Sequence, residues 1–266
     1  MLELHFHKKS FLLPENYNEL TGEQLIAVNK ILLTGEPMEM IRLKLLRVLL
    51  QMNLYQFFQL SADCKYRILF DDESEVSRID WLFYKNTLTE QLIPKYDRFY
   101  GPKKEFDNLR VKEFHVCEIA YYDYLQTGAE EHLDKLIAVL YRPAKDNYNF
   151  KKDPDGDCRI DFNPNELAYY MLFVSSWPVE VKAAILCFYD GNREFLRQLY
   201  DEVFVSGESS GEEEQTGMYD VIRNLSGSRY GTFKQVEEMF VHDIMREIIS
   251  SMADEKRQEE LLNKTT

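Results

Sequence analysis

One stretch of this chain, Ser206-Gly-Glu-Ser-Ser-Gly-Glu-Glu-Glu-Gln-Thr-Gly217, is unsuited to any core. Glycine and serine leave its backbone free, neighbouring glutamates repel, and no apolar side chain offsets the entropy of ordering it. It reads either as a tether or as a long surface loop. The sequence therefore predicts three regions: a mainly helical body over 1–205, an acidic flexible linker over 206–217, and a C-terminal amphipathic helical segment over 218–266.

Apolar residues make up 45% of the 266, with 17 Tyr and 17 Phe, enough for a sizeable core. The formal charge of −14 argues against nucleic acid as a partner, because phosphate binding needs a positive field. Cys64, Cys117, Cys158 and Cys187 form no C-x-x-C pair, so reduced thiols and a cytoplasmic protein are expected. Lys8-Lys9 followed by Phe11-Leu12-Leu13-Pro14 is too short for an export leader. No apolar run is long enough to span a bilayer, so no membrane is expected.

The fold class read from the pattern is mainly α, a multi-helix body with a few short β-strands. Leu2, Leu4 and Phe6 alternate with Glu3, His5 and His7, the period of a half-buried strand. Thr21 with Gln24 opens a helix with Leu25, Val28, Ile31 and Leu32 on its stripe. The next, from Pro37, carries so many leucines that burial on most sides is expected. Residues 65–70 alternate and predict a short strand, and within 75–100 a helix ending before Pro94 is expected. Phe114, Cys117, Tyr121 and Tyr124 define a helix stopped by Gly128, and Leu133, Leu136, Ile137 and Leu140 its hairpin partner, capped by Thr127 with Glu130. Asn163-Pro164 with Glu166 starts another helix. Trp177-Pro178 begins one that Asp190-Gly191 is expected to interrupt, and Met218–Leu225 reads as a turn or two of helix.

Chemistry-bearing patterns are sparse. Asp153-Pro-Asp-Gly-Asp-Cys-Arg-Ile-Asp161 imitates a calcium loop, but the sixth position is Cys158 and the twelfth is Pro164, so the turn glycine and the bidentate glutamate are missing. His5 and His7 share one strand face without a third ligand. No nucleophile elbow, Walker loop or dinucleotide fingerprint occurs. Gly227-Ser-Arg-Tyr-Gly231 reads as an inter-helix turn, and the doublets Lys8-Lys9, Lys103-Lys104 and Lys151-Lys152 as solvated charges. No catalytic, cofactor-binding or metal residue is identified, and the chain reads as a non-enzyme. What remains is the C-terminal stripe Phe233, Val236, Phe240, Ile244 and Ile248, on a helix capped by Thr232 with Gln235. It must dock on the body or in a partner's groove.

The stretch Glu113–Gly128, then Leu133–Pro143 and Arg159–Asn163, resembles the central helical hairpin of uncharacterised proteins from phage-like gene clusters of the Bacteroidota. Tyr219–Ser226 and Gly231–Glu237 are similar to short proteins encoded before the tape-measure gene, which resemble tail-assembly chaperones. This resemblance covers about half the chain, rests on helical pattern and transfers no functional residue. It implies a chaperone-like assembly protein that binds apolar helical segments of a protein partner such as a tape-measure-type or tail-tube protein. A structural or scaffold component of the particle, or an enzyme of unfamiliar type, is the alternative.

Overall fold

The structure, a computed structural model, describes residues 1–6, 9–70, 76–149, 151–152, 156–205 and 232–265. The acidic linker, the helical turns expected over Met218–Leu225, the turn at 227–231, His7 and Asp153–Asp155 all lie outside the described residues. The described chain is mainly α with a few short strands, as the pattern predicts. It divides into two compact units, the first made of 1–93 and 177–192, the second of 94–176 and 193–266.

The first unit opens with strands β1 (Leu2–Phe6) and β2 (Lys9–Leu13), an antiparallel pair in register from Leu2 opposite Leu13 to Phe6 opposite Lys9. Alternation buries Phe11 and Leu13 and leaves Leu12 outside. Helix α1 (Gly22–Leu32) starts with the expected reciprocal cap, Thr21 Oγ1 accepting from Gln24 N and Gln24 Oε1 accepting from Thr21 N. Its buried Leu25, Val28 and Ile31 pack on α2 (Met38–Leu49). Helix α2 buries one face, Ile41, Leu45, Leu46 and Leu49, and exposes Met38 and Met40, so it is not enclosed on most sides.

Helices α3 (Leu54–Phe58) and α4 (Ala62–Leu69) follow. The strand expected at 65–70 is the end of α4 instead. Ser61 caps that helix through Cys64 N, and buried Cys64, Ile68 and Leu69 keep the helical period, leaving Phe70 to pair with Ser77 as a single bridge. The α-helix expected to end before Pro94 is also absent among the described residues. A 3-10 turn, Asp80–Phe83, gives way to an irregular segment whose amides are taken by side chains. Asn18 Oδ1 accepts from Thr89 N and Glu90 N, and Asn86 Oδ1 from Leu88 N.

That segment presses on two glycines. A Cβ on Gly22 would stand 2.3 Å from the Leu92 carbonyl oxygen, and one on Gly191 would stand 2.3 Å from that of Leu88. Gly191 therefore sits inside helix α8 (Val179–Leu199), which runs through Asp190-Gly191 without the expected interruption. Asn192 donates to the same Leu88 oxygen at 3.2 Å and to Phe188 O at 2.8 Å.

In the second unit β3 (Lys95–Tyr96), β4 (Phe99–Tyr100) and β5 (Arg142–Pro143) form an antiparallel sheet in that order. Helix α5 (Val111–Thr127) ends at Gly128, whose φ of 66° is the left-handed cap expected of it. Helix α6 (Glu130–Leu140) folds back along α5, giving the predicted hairpin. Its N-cap is Ala129 rather than Thr127, whose hydroxyl accepts from Ala129 N. Asn163 caps a short 3-10 turn that leads into α7 (Leu167–Val174). After α9 (Asp201–Val205), the described chain resumes with α10 (Phe233–Glu237) and α11 (Val241–Thr265).

Candidate functional site

The C-terminal stripe does not lie on one continuous helix. Between α10 and α11 the backbone leaves helical bonding to bridge the start of α5: Val111 N donates to Met239 O and Val241 N to Leu109 O, both at 2.9 Å, with Phe240 opposite Arg110. The break rotates the apolar face. Val236 and Ile244 are fully buried, joined by Val241 and Met245; Ile248 is half-buried and Phe240 is 37% exposed beneath the Arg110 guanidinium. Phe233 opens α10.

Polar contacts fix this seat. Glu238 bridges Arg110 at 3.0 Å and Lys112 at 2.6 Å. Glu105 and Phe106 adopt left-handed φ values of 54° and 60°, a strained turn that aims the Glu105 carbonyl at His242. His242 Nε2–H donates to that oxygen at 2.7 Å, and Nδ1 accepts from the buried Tyr200 hydroxyl at 2.8 Å. Residues Val236 and Ile244 of the stripe thus serve the core of the second unit. The sequence carries the apolar residues but not the break, whose cause is the chain at 109–111.

A second polar assembly buries Glu113, Arg142 and Arg159 and leaves Asp157 half-buried at its edge. Glu113 Oε1 accepts from Arg142 Nη2 at 2.8 Å, and its Oε2, without a hydrogen bond, lies 3.6 Å from Arg159 Nη2. Arg142 also donates to Ile160 O and Val139 O, and Arg159 to Leu140 O, Asn108 O and both oxygens of Asp157. Two guanidiniums meet two carboxylates, and backbone carbonyls take two further hydrogen bonds from each guanidinium. Burial raises the Asp157 carboxyl and the Arg159 guanidinium more than offsets it, leaving the carboxyl below its ordinary range. Arg142 is lowered by burial against the opposing pull of Glu113. This is a structural tie among α5, the end of α6, β5 and residues 157–160. It gives one aspartate of the aspartate-rich loop a structural role: Asp157 holds Arg159. Among the described residues no group of three or more His, Cys, Asp or Glu is placed to hold a metal.

The thiols differ in packing, Cys158 and Cys187 being half-buried. Cys64 and Cys117 are buried, and burial pushes Cys187 up to about 12 and Cys117 well above its ordinary value, which favours the thiol form in both.

Apolar surface is left uncovered in the first unit. Helix α3 exposes Leu54 (59%), Tyr55 (74%) and Phe58 (74%), and α4 exposes Tyr66 (63%). Lys65 Nζ lies 4.7 Å from the Phe57 ring centre and 5.9 Å from that of Phe58, and Tyr66 stacks on Phe70 at 5.0 Å. Asn53 and Gln56 cap α3 reciprocally, so five residues hold helical form although most of their apolar surface is outside. Together these side chains form an exposed apolar patch among the described residues. In the sequence the alternation at 65–70 hides Tyr66 in an apparent strand, and the Leu-Tyr-x-x-Phe spacing of Leu54–Phe58 is the one local signal of this patch.

Among the described residues, no helix is long and apolar enough to cross a membrane. Comparison with protein-family models, with curated proteins and with solved structures finds no match.

Proposed function

We propose that the protein is a non-enzymatic assembly protein that shields apolar helical segments of a protein client. In its finer form the reading is a chaperone-like role in a prophage or tail-like particle, with a tape-measure-type protein as client. The observation that carries the binding function is the exposed Leu54, Tyr55, Phe58 and Tyr66 surface. Tyrosine and phenylalanine offer large contact areas while losing few rotamers, which suits them to anchor a client's apolar stripe. The formal charge of −14 keeps such a complex soluble by mutual repulsion. With Val236 and Ile244 turned inward, the client meets α3 and α4 rather than the C-terminal stripe.

Co-expression with a tape-measure-type protein tests the reading. The client's soluble yield rises with the wild-type chain and returns to baseline with Tyr55→Ser/Phe58→Ser, whose exposed positions leave folding intact. An unchanged yield with the wild-type chain removes the chaperone role. A yield that rises equally with the double variant removes α3–α4 as its site.

A further inference from the structure

Helix α7, Leu-Ala-Tyr-Tyr-Met-Leu-Phe-Val, is apolar all round, which is the composition of an enclosed helix. Yet Tyr169 is 56% and Leu172 71% exposed, with Phe173 half-buried between them and the sheet. At the tip of the β3–β4 hairpin, Asp97 turns the chain at a φ of 51°. The next residue, Arg98, places its guanidinium 4.2 Å from the Phe173 ring centre and 5.6 Å from that of Phe99. The Tyr169 ring meets Phe173 edge-on at 5.0 Å, so cation and apolar face are contiguous. Among the described residues Arg98 is exposed and pairs with no carboxylate.

A guanidinium held against an aromatic ring is oriented in advance, and its outward N–H groups fit the two oxygens of a carboxylate. Along the hairpin's own stretch of chain the charge has the same sign, while Glu166 before α7 is engaged by the Tyr170 hydroxyl. Within residues 95–104, Lys95, Arg98, Lys103 and Lys104 stand against the single carboxylate of Asp97, in a chain whose total is −14. We propose that the α7 face and Arg98 form a docking surface for a protein segment carrying a carboxylate beside aliphatic or aromatic residues. The segment's apolar side chains rest on Tyr169 and Leu172, and its carboxylate reaches Arg98. A single carboxylate exploits the local cation, whereas a polynucleotide brings many charges toward an acidic molecule and is repelled. The surface is separate from α3–α4 in sequence, and its cation is a guanidinium rather than the ammonium of Lys65.

The test pans a random displayed-peptide library against the full-length protein, then measures the selected peptides by fluorescence anisotropy beside a labelled oligothymidylate. Enrichment of Asp or Glu flanked by Leu, Ile or Phe is expected. Arg98→Glu and Leu172→Glu each weaken the selected peptides by at least about tenfold, and Arg98→Lys, which keeps the charge and loses the fork, by less. The oligothymidylate does not bind. Absence of enrichment, selection of peptides without carboxylates, or affinities indifferent to Arg98→Glu overturns the proposal. Oligothymidylate binding that depends on Arg98 overturns it in favour of a nucleic-acid surface. Far-UV circular dichroism of the three variants, all at exposed positions, separates lost binding from lost fold.

Discussion

Gly191 contradicts helix propensity, and a close approach explains why. Replacing a mid-helix glycine by alanine ordinarily stabilises by about 1 kcal/mol. Here the added carbon meets a backbone oxygen at 2.3 Å, which no side-chain rotation relieves. Gly191→Ala is expected to lower stability by about 1–3 kcal/mol in urea unfolding, the usual cost of overpacking. The buried ion cluster is equally sensitive. Glu113→Ala leaves Arg142 and Arg159 short of a counter-charge in an enclosed site and is expected to cost about 3–5 kcal/mol. Asp157 adds a pH signature. Its carboxyl is depressed in the folded chain, so its stabilisation is present above the unfolded carboxyl value and is lost as pH falls through the folded one. The stability gap between wild type and Asp157→Asn is therefore expected to hold at neutral pH. It closes as pH drops below about 4. Urea titrations of both proteins over that range check it.

Among the elements, those with local causes were legible in the sequence. Thr21 with Gln24, Asn163-Pro164 and Gly128 each mark a helix boundary through chemistry confined to a few residues, and each boundary lies where that chemistry places it. The misread segments depend on distant partners. The segment before Pro94 resembles a helix until Asn18 takes the amides of Thr89 and Glu90. The C-terminal stripe resembles one helix until Leu109 and Val111 draw Met239–Val241 into a bridge. Val241→Asp, placing a carboxylate at a fully buried position of that bridge, is expected to release α10 and α11. Hydrogen exchange at the Val111 and Ile244 amides should then quicken by at least about tenfold while the amides inside α6 are unchanged. Protection retained at both would show that the segment is held without the bridge.

At the scale of the molecule, two compact units supply separate probes. Trp81 and Trp177 both belong to the first unit, so tryptophan fluorescence reads that unit, while far-UV circular dichroism reads helices in both. Gly191→Ala acts in the first unit and Glu113→Ala in the second. The former is expected to displace the fluorescence midpoint more than the dichroism midpoint, and the latter the reverse. Identical displacement by both probes in both variants would mean that the units unfold as one. The −14 charge and the two exposed apolar surfaces were visible in composition only as totals. Which aromatics stay outside depends on packing that a linear pattern does not carry, as Tyr55 and Tyr121 illustrate: one is 74% exposed, the other buried.

The irregular segment before Pro94 has a consequence for kinship. Leu88 and Leu92 lie against Gly191 and Gly22, positions far apart along the chain, and each contact excludes even a methyl group. A distant relative that keeps this fold is expected to keep both glycines together with the spacing between its counterparts of Leu88 and Leu92. One that carries a larger residue at either site should also show an insertion or deletion in that segment. Two glycines and one loop length thus make a compact signature, able to recognise shared ancestry where helical pattern alone is too common to do so.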